Sequence, residues 1–198
     1  MPASTTPTAG RPSPRERLLD AATELFYAEG VQSVGIDRVI AHAGVAKASL
    51  YSTFGNKEGL VRAYLDRRHE VLVGRLRRAV AATEDPVERL LAVFDAQSAL
   101  FERSDFHGCA FVAASAEAPA DGQIAEATAR YRREVRGLFV ELAAEAGIAD
   151  PEQLADQLRI IYDGGSIAAN LDHNPGIAPT ARAAARILIE AAPRGAAG

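Results

Sequence analysis

A single cysteine, Cys109, stands in a chain of 198 residues. One thiol cannot close an internal disulfide, so a domain stapled by bridges is excluded, and a reducing, cytoplasmic setting fits. Runs of about 18 consecutive apolar residues are missing, which predicts no membrane-spanning helix. The opening residues lack the basic start and apolar stretch of a secretory leader, and none is expected. Sustained alternation with β-branched enrichment is absent as well, so strands are not predicted. His107, Cys109 and His173 fit no zinc spacing and have no second close pair of ligands beside them, so neither a metal nor another cofactor is expected. Cys109 has no sequence partner that would activate it, which points away from an enzyme.

What is present is unevenly spread charge and apolar residues at helical spacing. Residues 1–80 carry 12 Lys+Arg against 8 Asp+Glu, while residues 81–198 carry 10 against 18. A basic front on an acidic body implies two kinds of partner, and nucleic acid is the polyanion that suits the front. Residues 1–12, rich in Pro, Ser, Thr and Gly, read as a flexible arm. Ser13-Pro14-Arg15-Glu16 then forms a capping box ahead of an apolar stripe from Leu18 to Phe26, with a stop at Gly30. The same start returns at Asp85-Pro86-Val87-Glu88 and at Asp150-Pro151-Glu152-Gln153. The last of these opens a helix expected to bury Leu154, Leu158, Ile161 and Leu171. With a long helix ending near Gly147 and another after Pro179, the pattern predicts an all-α fold of about nine helices.

Residues 36–54 carry the chemistry. Ile36, Val39, Ile40 and Ala43 fall on one face of a short helix, and Gly44 supplies a reversal at positive φ. Val45, Leu50 and Phe54 anchor a second short helix, completing a helix-turn-helix. Lys47, Ala48, Ser49, Tyr51, Ser52 and Thr53 are left facing outward. Small Ala48 and Ser49 let the backbone approach base edges, Lys47 can donate to guanine, and Ser52 and Thr53 offer polar or methyl contacts. The Tyr51 hydroxyl suits a phosphate. Asn56 caps the next helix, whose dipole and Lys57 ammonium aim positive charge at a further phosphate. Arg38 joins this DNA-binding set, and Arg11 or Arg15 could reach a minor groove. Lys47 and Lys57 are the only lysines, against 20 arginines.

In this register Gly30, Val39-Ile40, Ala43-Gly44-Val45, Lys47, Ser49-Leu50-Tyr51, Phe54, Lys57-Glu58 and Leu60 resemble the tetracycline-repressor (TetR) family of bacterial regulators. The resemblance covers residues 13–70. It implies a helix-turn-helix DNA-binding domain at 13–58 and a C-terminal effector-binding and dimerisation domain at 59–198. Gly35 and Ala46 stand where the family often has a hydroxyl residue. At Ala46 the recognition helix loses a side-chain cap, a cost of about 1 kcal/mol. Ser52 replaces a frequent His.

For the body, the expectation is a small apolar effector lined by Phe94, Phe101, Cys109, Phe111, Tyr131, Phe139 and Tyr162. The helices near 151–173 and 178–191 resemble the family's dimer seam, with Leu158, Gly164, Gly165 and Ile187 as interface candidates. Each glycine costs roughly 1 kcal/mol inside a helix, which close approach across a two-fold axis would explain. Two heads about 34 Å apart would read a palindromic operator in double-stranded DNA. The function expected is a homodimeric repressor released by a small molecule. Two alternatives stand beside it. One is a helical small-molecule-binding protein or enzyme with a vestigial head, and the other is an effector-independent DNA-binding activator.

Overall fold

Serine or aspartate followed by proline opens three of the helices, and the capping chemistry shows why. The computed structural model describes residues 12–117 and 121–195; the arm through Arg11 lies outside them. Ser13 Oγ accepts from the Glu16 amide at 3.2 Å, and Glu16 Oε2 accepts from the Ser13 amide at 2.7 Å. Helix α1 (Pro14–Glu29) therefore starts on a closed capping box. Asp85 accepts from the amides of Val87 and Glu88 to open α5 (Pro86–Phe101), and Asp150 accepts from Gln153 to open α8 (Pro151–Leu171). Glu88 does not close a second box, because its carboxylate is taken by Arg182 and Arg186 of α9 (Ile177–Ala191).

The remaining helices are α2 (Ile36–Ala43), α3 (Lys47–Phe54), α4 (Lys57–Val80), α6 (Ala110–Ala116) and α7 (Gln123–Glu145). Among the described residues the fold is all-α, with nine helices and one isolated bridge, Ile148 to Arg194. Packing divides the chain into two compact units, one ending at Tyr64 and the other beginning at Leu65. Helix α4 opens in the first unit and closes in the second.

The first unit is built on the predicted stripe. Leu18, Ala22, Leu25 and Phe26 of α1 are buried with Val39 and Ala43 of α2, Leu50 of α3, and Leu60, Val61 and Tyr64 of α4. Phe26 and Tyr64 meet edge to face at 5.7 Å. In the second unit α8 packs between α7 and α9, and α5 packs against all three. Its centre is aromatic: Phe94, Phe139 and Tyr162 lie within 5.8–6.4 Å of one another, ring centre to ring centre.

Helix α8 corrects part of the expected interface. Leu158 is 0% exposed, so it has no surface left for a second copy. Gly165 is buried as well, and a Cβ there would stand 3.4 Å from Ala181 Cβ and 3.5 Å from Gln97 Oε1 of the same chain. The close approach that this glycine permits is internal, between α8, α9 and α5. Leu171, expected in the core, is 71% exposed instead. Gly164 meets nothing within 4 Å, and Ile187 is 66% exposed.

Candidate functional site

The helical pair at 36–54 is set by one glycine and one arginine. Gly44 adopts φ +60°, a left-handed conformation that residues with a Cβ resist. Its carbonyl accepts from Arg17 Nη2 at 2.6 Å, so α1 holds the turn in place. A side chain at position 44 would also press on Arg17, 2.8 Å from the added carbon. Arg17 is a supporting residue that the sequence reading missed; only proximity in three dimensions reveals it.

Helix α3 leaves Ala46 in an extended conformation with no side-chain cap. Leu50 is its buried residue, whereas Lys47, Ala48, Tyr51, Ser52 and Thr53 are exposed and Ser49 is half-buried. Tyr51 is 47% exposed, with its hydroxyl open to a polar partner. Ser52 donates back to the Ser49 carbonyl at 3.2 Å. Arg15, described although Arg11 is not, places its guanidinium 5.8 Å from the Phe54 ring centre. Asn56 Oδ1 accepts from the Gly59 amide at 2.9 Å, which caps α4 as expected.

The cations of this surface are not bare. Lys47 Nζ donates to Asp37 Oδ1 at 2.8 Å, and that hydrogen bond, followed by the Asp37 charge, raises its pKa. Arg38 binds Glu29 at the end of α1 through both terminal nitrogens, one of them at 2.7 Å. Lys57 Nζ reaches the Gln32 carbonyl at 3.4 Å. These contacts are solvent-exposed, so a phosphate can replace them at little cost. Lys47 and the outward face of α3 come together, while Arg38 is turned toward α1.

The body candidates separate into two groups. Phe111 and Tyr131 stack at 4.1 Å, nearly parallel at 7°. The Tyr131 and Tyr162 hydroxyls lie 3.3 Å apart, and Tyr162 continues into the Phe94 and Phe139 cluster. Burial pushes both phenols well above their ordinary pKa, and the Cys109 thiol up as well. Phe101 belongs elsewhere. It packs with Ala169 and Ala178, and its ring centre is 4.9 Å from that of Phe106. Gln97, 2% exposed, was not foreseen; its Nε2 donates to the Tyr162 carbonyl at 2.7 Å, beneath the aromatic group.

A third feature is an apolar strip on the outside. Ile160, Ile167 and Leu171 recur at helical spacing along α8 and are 68, 43 and 71% exposed, with Gly164 between the first two. The family model for bacterial regulatory proteins of the tetR family matches residues 18–64. The chain is similar to the transcriptional repressor ComR of Escherichia coli, 30% identical over 172 residues, which is 81% of this chain and 82% of that one. Similarity to the transcriptional activator FasR of Mycolicibacterium smegmatis is 39% over 82 residues, so this chain spans only 37% of FasR. The fold is similar to that of SCO4454, a TetR-family transcriptional regulator from Streptomyces coelicolor. That match has a TM-score of 0.85 and 31% identity, covering 89% of this chain and 94% of the other.

Proposed function

This chain belongs to the TetR family of bacterial regulatory proteins, and we propose that it is a homodimeric repressor released from a palindromic operator by a small molecule. As a family member it is a DNA-binding transcriptional regulator rather than an enzyme. One observation carries the DNA-docking part: α3 buries Leu50 and offers Lys47, Ala48, Tyr51, Ser52 and Thr53 to solvent. Those residues supply short side chains at the base edges and polar tips for phosphate and base. Lys57 and the capped start of α4 add positive charge beside them.

The dimer is supported by the strip Ile160, Gly164, Ile167 and Leu171 with Ile187, an apolar surface that a lone subunit would expose to water. A second copy gives a second head, and two short helices one duplex turn apart read what one cannot. The sign of regulation follows the longer likeness, since ComR is named a repressor and is matched over most of its length. DNA as partner sets the cytoplasm as its location. Effector binding in the body would favour a state whose heads fit the operator poorly, and α4, shared by both units, is the connection. A ligand moves such an equilibrium only by its preference for one state. Turning 99:1 into 1:99 takes a preference of about 10,000-fold.

The test is selection of genomic fragments by the purified protein, followed by gel shifts with the selected operator. The Tyr51→Ala/Lys57→Ala double variant should lose binding to every fragment alike. An unchanged shift from that variant would overturn the docking.

A further inference from the structure

Arg17 of α1 is half-buried, and its hydrogen bond runs from Nη2 to the Gly44 carbonyl at 2.6 Å. That carbonyl belongs to the left-handed residue between α2 and α3, and among the described residues no backbone amide returns to it. The side chain therefore satisfies an acceptor that the turn leaves over. A guanidinium carries five N–H donors in a planar fork, and a single carbonyl engages only one edge of it. The neighbouring basic side chains are already matched. Arg38 is held by Glu29, Lys47 by Asp37 at 2.8 Å, and the His42 ring by Glu24 at 3.0 Å. Among the described residues no carboxylate holds Arg17.

Its place matters as much as its spare donors. Gly44 stands three residues ahead of Lys47, so the guanidinium lies at the entry to α3. Arg15 marks the other end, 5.8 Å from the ring centre of Phe54, the last residue of that helix. With eight residues, α3 is about 12 Å long, close to the width of a major groove. A helix of that length in the groove brings its ends near the phosphates that wall it. Gly44 serves twice here, since a Cβ at that position would stand 2.8 Å from Arg17 Nη2 and displace it.

We propose that Arg17 binds a phosphate of the DNA backbone, its guanidinium joining the Gly44 carbonyl on one edge to that phosphate on the other. This rests on the reading that α3 enters the major groove. Such a contact carries no sequence information; it fixes where the turn stands on the duplex and leaves base choice to α3. The test is fluorescence-anisotropy titration of the full-length protein on the selected operator and on a scrambled duplex, over a series of salt concentrations. Arg17→Gln should weaken both complexes by at least about tenfold, because a charge-assisted contact is lost. It should also flatten the logarithmic salt slope by about 0.9 for each head that docks. Arg17→Lys, which keeps the charge, should hold the slope. Arg133→Gln, at an exposed position on α7, should change neither quantity. A slope unchanged by Arg17→Gln, or a loss confined to the operator, makes Arg17 a support for the turn alone and overturns the phosphate contact. Phenylglyoxal labelling of the unaltered protein gives a second reading that no misfolded variant can obscure. Operator DNA should shield Arg17 and leave Arg133 reactive, and labelling of Arg17 at an undiminished rate overturns the contact. If the Tyr51→Ala/Lys57→Ala variant also binds unchanged, the docking of α3 falls and the contact with it. If that variant loses binding while Arg17→Gln keeps the slope, only the Arg17 contact falls.

Discussion

Lys47 and Asp37 form an exposed ion pair on the surface proposed to meet DNA. The carboxylate holds the ammonium at 2.8 Å, so in the proposed docking Lys47 exchanges Asp37 for a phosphate or a guanine edge. Asp37→Asn frees the lysine and removes one negative charge from beside the duplex. It should tighten binding to all sequences several-fold and lessen discrimination, measured by gel shift on operator and scrambled DNA. Gly44 is the other residue whose role is sharply defined. With φ at +60° and Arg17 close by, Gly44→Ala should cost about 1–2 kcal/mol, read from thermal or urea melts. The outward residues of α3 were legible in the sequence, because the spacing of Val45, Leu50 and Phe54 fixes which side is inside. The carboxylate partners of Lys47 and of Arg38 were not, since Asp37 and Glu29 lie on other helices than the cations they hold, and only the crossing of those helices brings them near.

At the scale of helices, α8 marks the limit of pattern reading. Leu154, Leu158 and Tyr162 form one apolar face, while Ile160, Ile167 and Leu171 form another. A sequence with two apolar faces cannot say which one the subunit spends internally. Capping has no such ambiguity, because a side-chain oxygen two or three residues ahead of orphaned amides has only one use, and all three predicted starts are capped. The two faces make opposite predictions. Leu158→Ala should cost about 2–5 kcal/mol of subunit stability. Ile160→Asp with Ile187→Asp should leave the helical circular-dichroism spectrum intact and leave only monomer in analytical ultracentrifugation, where the unchanged protein should sediment as the proposed dimer. Ion pairs between helices add a pH signature. Arg186 and Arg182 lower the Glu88 pKa, Arg136 lowers that of Asp156, and Arg77 with His69 lowers that of Glu134 against the opposing effect of burial. Depressed carboxylates bind protons less readily in the folded chain than in the unfolded one. Their contribution is therefore complete above the ordinary carboxylate range and fades as pH falls through it. Tm should stay flat from about pH 7 to 5.5 and decline below about pH 4.5, with a shallower decline in Glu88→Gln.

For the molecule as a whole, the division of charge is the organising fact. The net charge of −4 comes from the acidic excess of residues 81–198. The basic excess of residues 1–80 lies mainly in residues 65–80, with five arginines against two acids, and residues 1–64 are close to neutral with seven cations against six acids. Attraction for a polyanion at the head therefore depends on individual surface cations such as Lys47 and Lys57. Attraction of that kind works by releasing counterions, so the logarithm of affinity falls linearly with the logarithm of salt, by about 0.9 per phosphate neutralised. This slope counts heads as well as contacts. A dimer carrying two copies of Lys57 makes the same phosphate contact twice, whereas a single bound subunit makes it once. Lys57→Ala should therefore reduce the steepness of the salt dependence by about 2, while a monomeric complex would lose only about 1. The measurement is a series of fluorescence-anisotropy titrations from low to high salt on the selected operator. A loss near 1 would mean that one head docks at a time, and the palindromic reading would then have to be abandoned even with the α3 contacts intact.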